Sequence, residues 1–199
     1  MVQSSEHDPL TVFESWLTEA YLQELTDPNA MAIATVSPQG HPSVRNVLLK
    51  HWSREEGLIF CTSSNSKKAK HLEQNKHVAL LFYWKSLYRQ ISMEGTVQPT
   101  DRETSEHLFA IRPRESQLTT YVSKQSQPME SPLVFDTHLE KARSTLKNDS
   151  IPCPEHWSGY QFSPHTIEFW VGQPYRRHQR TLYTKDAHSQ QWSQSFLHP

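Results

Sequence analysis

The feature that most constrains the fold is a succession of short apolar segments separated by turn residues. Segments of this length, rich in β-branched and aromatic residues, are typical of strands. Strands are predicted over 31–36, 43–50, 58–62, 78–84, 88–97, 159–162, 166–170, 181–184 and 191–193. Helical signals interrupt them, from Asp8-Pro9 to near Asp27-Pro28 and over 66–74, 100–111, a short stretch after Pro113, and 132–146. This pattern predicts a mainly β, α+β fold, a small β-barrel decorated by helices.

Glycine is scarce, with five residues in a chain of 199, and no GxGxxG motif is present. Dinucleotide-binding and phosphate-binding loops need closely spaced glycines so that the backbone can approach the phosphate. A Rossmann or P-loop protein is therefore excluded. Because the chain has neither an internal repeat nor a long linker, a single domain over 1–199 is expected, with residues 1–7 disordered.

The net charge is −1 with 12 histidines counted neutral, so nothing attracts the whole surface to nucleic acid or anionic lipid. Any anion site must be made locally by a few Lys and Arg residues. Cys61 and Cys153 form no CxxC pair and the histidines show no metal-binding pattern, which predicts reduced thiols and no metal site. A cytoplasmic protein is expected, because neither a secretory signal nor a run of membrane-spanning length is visible.

Two segments in the first half of the chain carry candidate anion-binding cations. In the strand over 45–50, alternation places Arg45 on one face and Lys50 on the other. Farther along, Ser66 is a good N-cap, which places Lys67 and Lys68 in the first helical turn, where cations oppose the helix dipole. A bound phosphate would resolve that conflict. The alternative is that all these cations are solvated surface residues.

Two more segments lie in the second half. Pro113 at a helix start leaves backbone N–H donors facing outward, with Arg112 and Ser116 at the same end, followed by a polar stretch over 123–126. In the segment over 176–180, an extended backbone would project Arg176, His178 and Arg180 from one face, which favours an anion or an electron-rich ring against them. A surface β-ribbon is the alternative for this segment. Two separate phosphate-like sites suggest a phosphorylated cofactor and a phosphorylated substrate.

The segments RNVLLK (45–50), TSSNSKKA (62–69), RPRESQ (112–117), VSKQS (122–126), IEFW (167–170) and RRHQR (176–180) resemble the pyridoxine/pyridoxamine 5'-phosphate oxidases in order and spacing. The resemblance covers about Asp8 to Pro199. It implies an FMN-binding split β-barrel with Greek-key-like connections, and a homodimer that binds FMN between its subunits. The implied reaction oxidises pyridoxamine or pyridoxine 5'-phosphate to pyridoxal 5'-phosphate with dioxygen and releases hydrogen peroxide.

The resemblance also implies roles for particular residues. Substrate phosphate would be bound by Lys50, Arg112 and Ser116. The pyridine ring and the reacting carbon would be addressed by the catalytic residues Arg176 and His178. FMN would be contacted by Arg45, Asn46, Val47, Leu48, Thr62, Lys67, Lys68, Gln90, Gln125, Ser126, Trp170 and Arg180.

The chain departs from the family pattern at Leu108 and Cys61, where the family has tyrosines, and at Val171, Arg177 and Gln179. These departures leave two alternatives open. One is an FMN-dependent oxidase of the same fold that acts on another substrate, as in the phenazine pathway. The other is a non-catalytic carrier of flavin or pyridoxal phosphate.

Overall fold

The computed structural model describes residues 8–147 and 149–199, so the expected disorder of residues 1–7 lies outside the described residues. The helices are α1 (Pro9–Gln23), α2 (Lys67–Gln74), α3 (Arg102–Ala110), α4 (Arg114–Val122) and α5 (Pro132–Thr145). The strands are β1 (Ala30–Val36), β2 (Pro42–Ser53), β3 (Gly57–Ser63), β4 (His77–Trp84), β5 (Arg89–Pro99), β6 (Trp157–Val171), β7 (Gln179–Lys185) and β8 (Trp192–Leu197). A short 3₁₀ helix, Pro174–Arg176, precedes β7.

The strands form one antiparallel sheet in the order β3-β2-β1-β4-β5-β6-β7-β8, and β3 also pairs with β6. This additional pairing closes β1 to β6 into a barrel, and β7 and β8 extend the sheet beyond it. The predicted mainly β barrel with added helices is therefore confirmed. None of the described helices combines the length and the apolar character that a membrane crossing needs.

Strand β6 connects the barrel to its extension. Its first part, from Trp157 to Phe162, pairs with β3, and its last part, from Thr166 onward, pairs with β7. The prediction of two separate strands here was wrong. The register against β5 shifts beside Gly95, opposite Pro164, so the proline, which has no N–H to donate, is accommodated at an irregularity of one continuous strand.

Two hydrophobic clusters support these elements. The larger fills the barrel, where helix α1 buries Phe13 and Ala20 completely. The smaller joins α3, α4 and α5 to β3 and to the start of β6, through Phe109, Leu118 and Trp157 among others. The smaller cluster fixes α3 and α4 beside the end of the barrel where β3 meets β6, because buried apolar contacts hold elements in place.

Two helix boundaries differ from the predicted ones. Helix α1 ends at Gln23 and not near Asp27, because Glu24 already has an extended backbone. Helix α3 is capped by Asp101, whose carboxylate accepts a hydrogen bond from the Thr104 amide at 2.6 Å. Thr100, at which the predicted helix starts, instead donates its amide N–H to the carbonyl of Gly159 in β6.

Candidate active site

Arg45 points into one end of the barrel. Burial alternates along β2, so that Arg45 is half-buried, Val47 and Leu49 are buried and Lys50 is exposed. The Arg45 guanidinium donates hydrogen bonds to the Thr35 hydroxyl at 2.7 Å and to the Ile33 carbonyl at 3.2 Å. Burial lowers the pKa of Arg45. Its neighbours on β2 in the predicted FMN set differ in exposure, since Asn46 is exposed and Leu48 half-buried.

Helix α2 begins beside Arg45. Ser66 is the N-cap and accepts a hydrogen bond from the Ala69 amide at 3.3 Å, so the predicted cap is confirmed. Lys67 is exposed, whereas Lys68 retains only 7% of its accessible surface. Burial, assisted by the charge of Arg45, lowers the pKa of Lys68 to about 8. Among the described residues, no carboxylate forms an ion pair with either Arg45 or Lys68.

Two neutral side chains complete this group. The Lys68 ammonium donates to the Thr62 hydroxyl at 2.9 Å, and Thr62 in turn donates to Gln125 Oε1 at 2.7 Å. The Ser63 amide donates to the same Gln125 oxygen at 3.2 Å, which ties the loop after α4 to the end of β3. In that loop Ser126 has a φ of 69°, a conformation that non-glycine residues adopt at a cost. We name Arg45, Thr62, Ser66, Lys68 and Gln125 the barrel-end group.

A cavity of about 240 Å³ connects the barrel-end group to Arg112. Its lining includes Thr62, Gln125, Cys61, Arg112 and Thr120. The pKa of Arg112 is lowered by burial, and among the described residues Arg112 makes no ion pair. Burial also raises the pKa of the Cys61 thiol to about 12, although the charges of Arg112 and Lys50 act in the opposite direction. The cavity thus contains an unpaired cation and a neutral thiol.

Lys50 lies at an irregularity of β2. The register against β3 passes from Leu49 to His51, which leaves Lys50 in a bulge, an arrangement that redirects side chains beside functional sites. Its exposed side chain lines a second cavity of about 410 Å³, together with Leu108 and Ile111. Ser116 is half-buried in the first turn of α4, whose N-terminus has no side-chain cap. This helix end retains backbone N–H groups that can bind an anion.

A third group lies at the far end of β6. Trp170 pairs with Gln90 of β5 and with Arg180 of β7. The rings of Trp170 and His178 are 4.6 Å apart between centroids. His178 Nδ1 accepts a hydrogen bond from the Gln173 amide at 3.2 Å, so a neutral imidazole holds its proton on Nε2. We name Gln90, Trp170, Arg176, His178 and Arg180 the β6-end group.

The backbone of the β6-end group differs in part from the predicted one. The expectation of an extended backbone from Arg176 to Arg180 was wrong, because Pro174 starts a 3₁₀ turn in which Tyr175 and Arg176 have φ values of 59° and 61°. Arg180 lies on β7, which begins two residues before the predicted strand over 181–184, and its guanidinium forms a two-point ion pair with Glu168 at 2.7 and 3.0 Å. The roles assigned to these residues stay predictions.

The barrel-end and β6-end groups are far apart in one chain. Trp157 at the start of β6 lines the cavity with Arg112, whereas Trp170 is at the other end of the strand. At about 3.3 Å per residue, the path along the strand from one tryptophan to the other is roughly 40 Å long, so the two groups lie at opposite ends of a long strand. The residues predicted for a single site therefore lie in two regions of the protomer. One holds the barrel-end group with Arg112 across the cavity, and the other holds the β6-end group.

Sequence reasoning missed several residues of the site. Thr35 and His71 are buried and hydrogen-bonded to each other at 3.1 Å behind Arg45. His71 has a detectable signal, since it follows Lys68 by one helical turn and shares its face of α2. Trp157 has no such signal, because only the tertiary structure brings it to Arg112, and Thr120 lies on α4 two turns beyond Arg112, farther than the spacing at which helical side chains usually pair. Within the described residues, no cluster of three His, Cys, Asp or Glu side chains is arranged to hold a metal ion.

Two family models match the chain. Residues 17–146 match the family described as pyridoxamine 5'-phosphate oxidase. Residues 157–199 match the pyridoxine 5'-phosphate oxidase C-terminal dimerisation region. The two models together span both the barrel-end group and the β6-end group.

Similar proteins include the pyridoxine/pyridoxamine 5'-phosphate oxidase of Sphingopyxis alaskensis, 42% identical over 100% of this chain and 91% of that protein. The protein of the same name from Gluconobacter oxydans is 42% identical over 96% of this chain and 94% of its own length.

Among solved structures, PhzG from Burkholderia lata in complex with tetrahydrophenazine-1-carboxylic acid has a TM-score of 0.91 and 26% identity, over 98% of this chain and 95% of that one. A pyridoxamine 5'-phosphate oxidase-related, FMN-binding protein from Nostoc punctiforme has a TM-score of 0.78 and 17% identity, over 98% of this chain and 100% of its own. These likenesses confirm the expected split barrel. On the sequence matches, the chain belongs to the pyridoxamine 5'-phosphate oxidase family and is an oxidoreductase.

Proposed function

We propose that the protein is an FMN-dependent oxidase that converts pyridoxamine 5'-phosphate or pyridoxine 5'-phosphate to pyridoxal 5'-phosphate. The observation that carries this proposal is a pair of separate cation sites, the buried Lys68 with the half-buried Arg45 and, across one cavity, the half-buried Arg112, none of which has a carboxylate partner among the described residues. Buried cations are normally paired, so unpaired ones fit anionic ligands. Two such sites fit a phosphorylated cofactor and a phosphorylated substrate.

The barrel-end group fits the phosphate of FMN. Lys68 and Arg45 supply charge, the first turn of α2 supplies backbone N–H groups, and the exposed Lys67 adds a further cation at the same helix end. Thr62 and Gln125 supply neutral polar contacts beside them. Asn46, Val47, Leu48 and Ser126 belong to the proposed FMN set by their place in the family pattern. Bound FMN supplies the two-electron acceptor for the substrate and the route by which those electrons reach dioxygen.

Arg112, Lys50 and Ser116 are the proposed ligands of the substrate phosphate. Arg112 presents a planar guanidinium at the cavity, Lys50 approaches from the bulge in β2, and Ser116 lies in the uncapped first turn of α4. Their task is to bind and orient the substrate, which converts binding free energy into correct placement of the reacting carbon. Leu108, beside Lys50, adds an apolar wall where the family pattern has a tyrosine.

A homodimer would bring the β6-end group of one copy to the barrel-end group of the other. This proposal is supported by the wide separation of the two groups within one chain and by the match of residues 157–199 to a dimerisation region. Arg176 and Tyr175 are exposed in the protomer, as expected of residues that act on a neighbouring copy. There Arg176 would contact the substrate, His178 would hold a proton at Nε2, and Gln90, Trp170 and Arg180 would contact the flavin.

The proposed reaction balances with the reagents named. Pyridoxine 5'-phosphate and dioxygen give pyridoxal 5'-phosphate and hydrogen peroxide. Pyridoxamine 5'-phosphate also needs one water, because the amine is first oxidised to an imine that hydrolyses with release of ammonia. In both cases the 4' carbon loses two electrons and dioxygen gains them.

The proposal is tested by an absorbance spectrum of the purified protein before and after anaerobic addition of pyridoxamine 5'-phosphate. A flavin band near about 450 nm should bleach, and air should restore it with release of peroxide. A colourless protein that cannot be reconstituted with FMN would contradict the proposal, as would a yellow protein that does not bleach with either phosphate ester.

A second candidate is an oxidase of the same fold that acts on a tricyclic aromatic acid. It is favoured by the structural likeness to the Burkholderia lata protein, which was solved with tetrahydrophenazine-1-carboxylic acid, and by the apolar wall of Leu108 and Ile111. The same anaerobic experiment separates the two candidates. Bleaching by the phenazine acid without bleaching by pyridoxamine 5'-phosphate would favour the second.

A further inference from the structure

We propose that Thr120 and Trp157 are positioning residues that hold the Arg112 guanidinium in the orientation in which it binds the phosphate of the substrate. This inference rests on the proposed function and extends it to two residues outside the segments that carry the family resemblance. Neither is assigned contact with the reacting atoms. Both act through Arg112.

Thr120 fixes one edge of the guanidinium. Arg112 Nη1 donates a hydrogen bond to the Thr120 hydroxyl oxygen at 2.6 Å. Arg112 lies just before α4, and Thr120 is two turns along that helix. The hydrogen bond therefore directs the Arg112 side chain along the helix, toward the cavity. The neutral acceptor leaves the positive charge uncompensated and the other N–H groups available.

Trp157 fixes the face of the guanidinium. The Arg112 guanidinium carbon lies 5.2 Å from the centre of the Trp157 ring and 5.9 Å from that of Phe109. The two rings pack edge to face, with centroids 5.4 Å apart. A ring face attracts a cation without neutralising it, whereas a carboxylate in the same place would compete with an incoming phosphate. The surroundings of Arg112 thus orient its guanidinium and leave the charge available to a phosphate.

The Trp157 segment is itself anchored. Arg102 donates hydrogen bonds to the carbonyl oxygens of Cys153 at 2.7 Å, Pro154 at 3.1 Å and Trp157 at 3.2 Å. Trp157 retains only 4% of its accessible surface, so its ring has little freedom to move. Because the Trp157 ring is already fixed, it loses little conformational entropy when the ligand binds, which is the advantage of a preorganised site.

The experiment compares Thr120→Val with Thr120→Ser in the FMN-loaded protein. Valine keeps the shape and removes the acceptor, whereas serine keeps the hydroxyl. For Thr120→Val, the KM for pyridoxamine 5'-phosphate should rise about tenfold, with kcat changed less than about twofold, because a hydrogen bond to a charged group is lost. The dissociation constant of pyridoxal 5'-phosphate, measured by absorbance, should rise by the same factor.

Three controls make the result specific to Arg112. Thr120→Ser should restore the KM to within about threefold of the wild-type value. Turnover of pyridoxamine, which has no phosphate, should be unaffected by Thr120→Val. Thr137→Val removes a hydroxyl from a helix outside the cavity and should change none of these quantities. Trp157→Phe, which keeps a ring with a weaker attraction for cations, should raise the same KM by a smaller factor.

The outcomes separate the inference from the proposed function. A wild-type protein that oxidises the phosphate esters, with Thr120→Val unchanged or equally impaired on pyridoxamine, would overturn the inference alone. An equal loss in Thr120→Ser and Thr120→Val would also overturn it, because the hydroxyl would then not be the group that matters. A wild-type protein that oxidises neither ester would overturn the proposed function and the inference together.

Discussion

The Lys68 ammonium group donates a hydrogen bond to the Thr62 hydroxyl at 2.9 Å, inside the end of the barrel and beside the second cation, Arg45. A neutral hydroxyl offsets little of the cost of burying a charge. The arrangement is therefore unfavourable for the protein alone and would become favourable with the proposed FMN phosphate beside it, which would link the protonation of Lys68 to cofactor binding.

The first prediction concerns the pH dependence of FMN binding. Burial and the Arg45 charge depress the pKa of Lys68 to about 8 in the free protein, and a bound phosphate should raise this pKa. Below about pH 8, Lys68 is already charged, so its titration should not change the affinity for FMN. Above that pH, binding must take up a proton, so the affinity should fall about tenfold per pH unit.

Fluorescence titration of the apoprotein with FMN from about pH 7 to 9.5 measures this dependence. Lys68→Arg should remove the decline in this range, because arginine stays charged throughout. Lys68→Met should bind weakly at every pH. A wild-type affinity that does not change across the range would contradict the coupling.

The second prediction separates two arginines of the β6-end group. Arg180→Ala should lose FMN during purification, with a dissociation constant raised at least about tenfold, because the cation proposed to hydrogen-bond the flavin is removed. Arg176→Ala should remain yellow and bleach slowly with substrate. Flavin content by absorbance and anaerobic bleaching rate measure the two effects. If both variants lost flavin to the same extent, the division of roles between them would be wrong.

The third prediction concerns the glycine that begins β3. Gly57 has a φ of +74°, and a Cβ there would lie 2.4 Å from the Phe162 carbonyl oxygen of β6. Gly57→Ala should therefore destabilise the protein by about 1–2 kcal/mol for the backbone conformation and by about 1–3 kcal/mol more for the clash.

Gly40→Ala is the matched control. Gly40 has a φ of +82°, and a Cβ added there would meet no atom of the described residues within 4 Å. This variant should show the conformational cost alone. Urea unfolding of the two variants, compared with wild type, gives both free energies. Equal losses of unfolding free energy in the two variants would contradict this prediction. They would mean that β3 and β6 can move apart at Gly57 without an energetic cost, although their pairing closes the barrel.

Much of the fold was predictable because it depends on local patterns. Strand alternation located Arg45 and Lys50 on opposite faces of β2, and the Ser66 cap set the start of α2. Pro164 misled the prediction of β6, because the sequence shows a strand breaker and only the pairing with β5 shows the irregularity that accommodates it. The 3₁₀ turn at Arg176 has no such local signal, because the polar residues over 176–180 alternate as they would in an extended strand.

The site was predictable only in part. The family resemblance supplied Thr62 and Gln125, and the structure shows them hydrogen-bonded although they are 63 residues apart. Nothing local marks Trp157 as a neighbour of Arg112, since that contact arises from the hydrophobic cluster that brings Phe109 of α3 and Leu118 of α4 together with the start of β6. Nor does the sequence reveal that the predicted residues form two groups far apart in one protomer.

The fourth prediction tests the central claim, that the barrel-end group and the adjoining Arg112 of one copy form one active site with the β6-end group of another. Arg112→Gln and Arg176→Gln variants are co-expressed with different affinity tags, and the heterodimer is isolated through both tags. Each homodimer should be nearly inactive. The heterodimer should recover about half of the wild-type activity, because one of its two sites combines intact residues from both copies. A heterodimer as inactive as the two homodimers would show that each protomer holds a complete site, and would contradict the account.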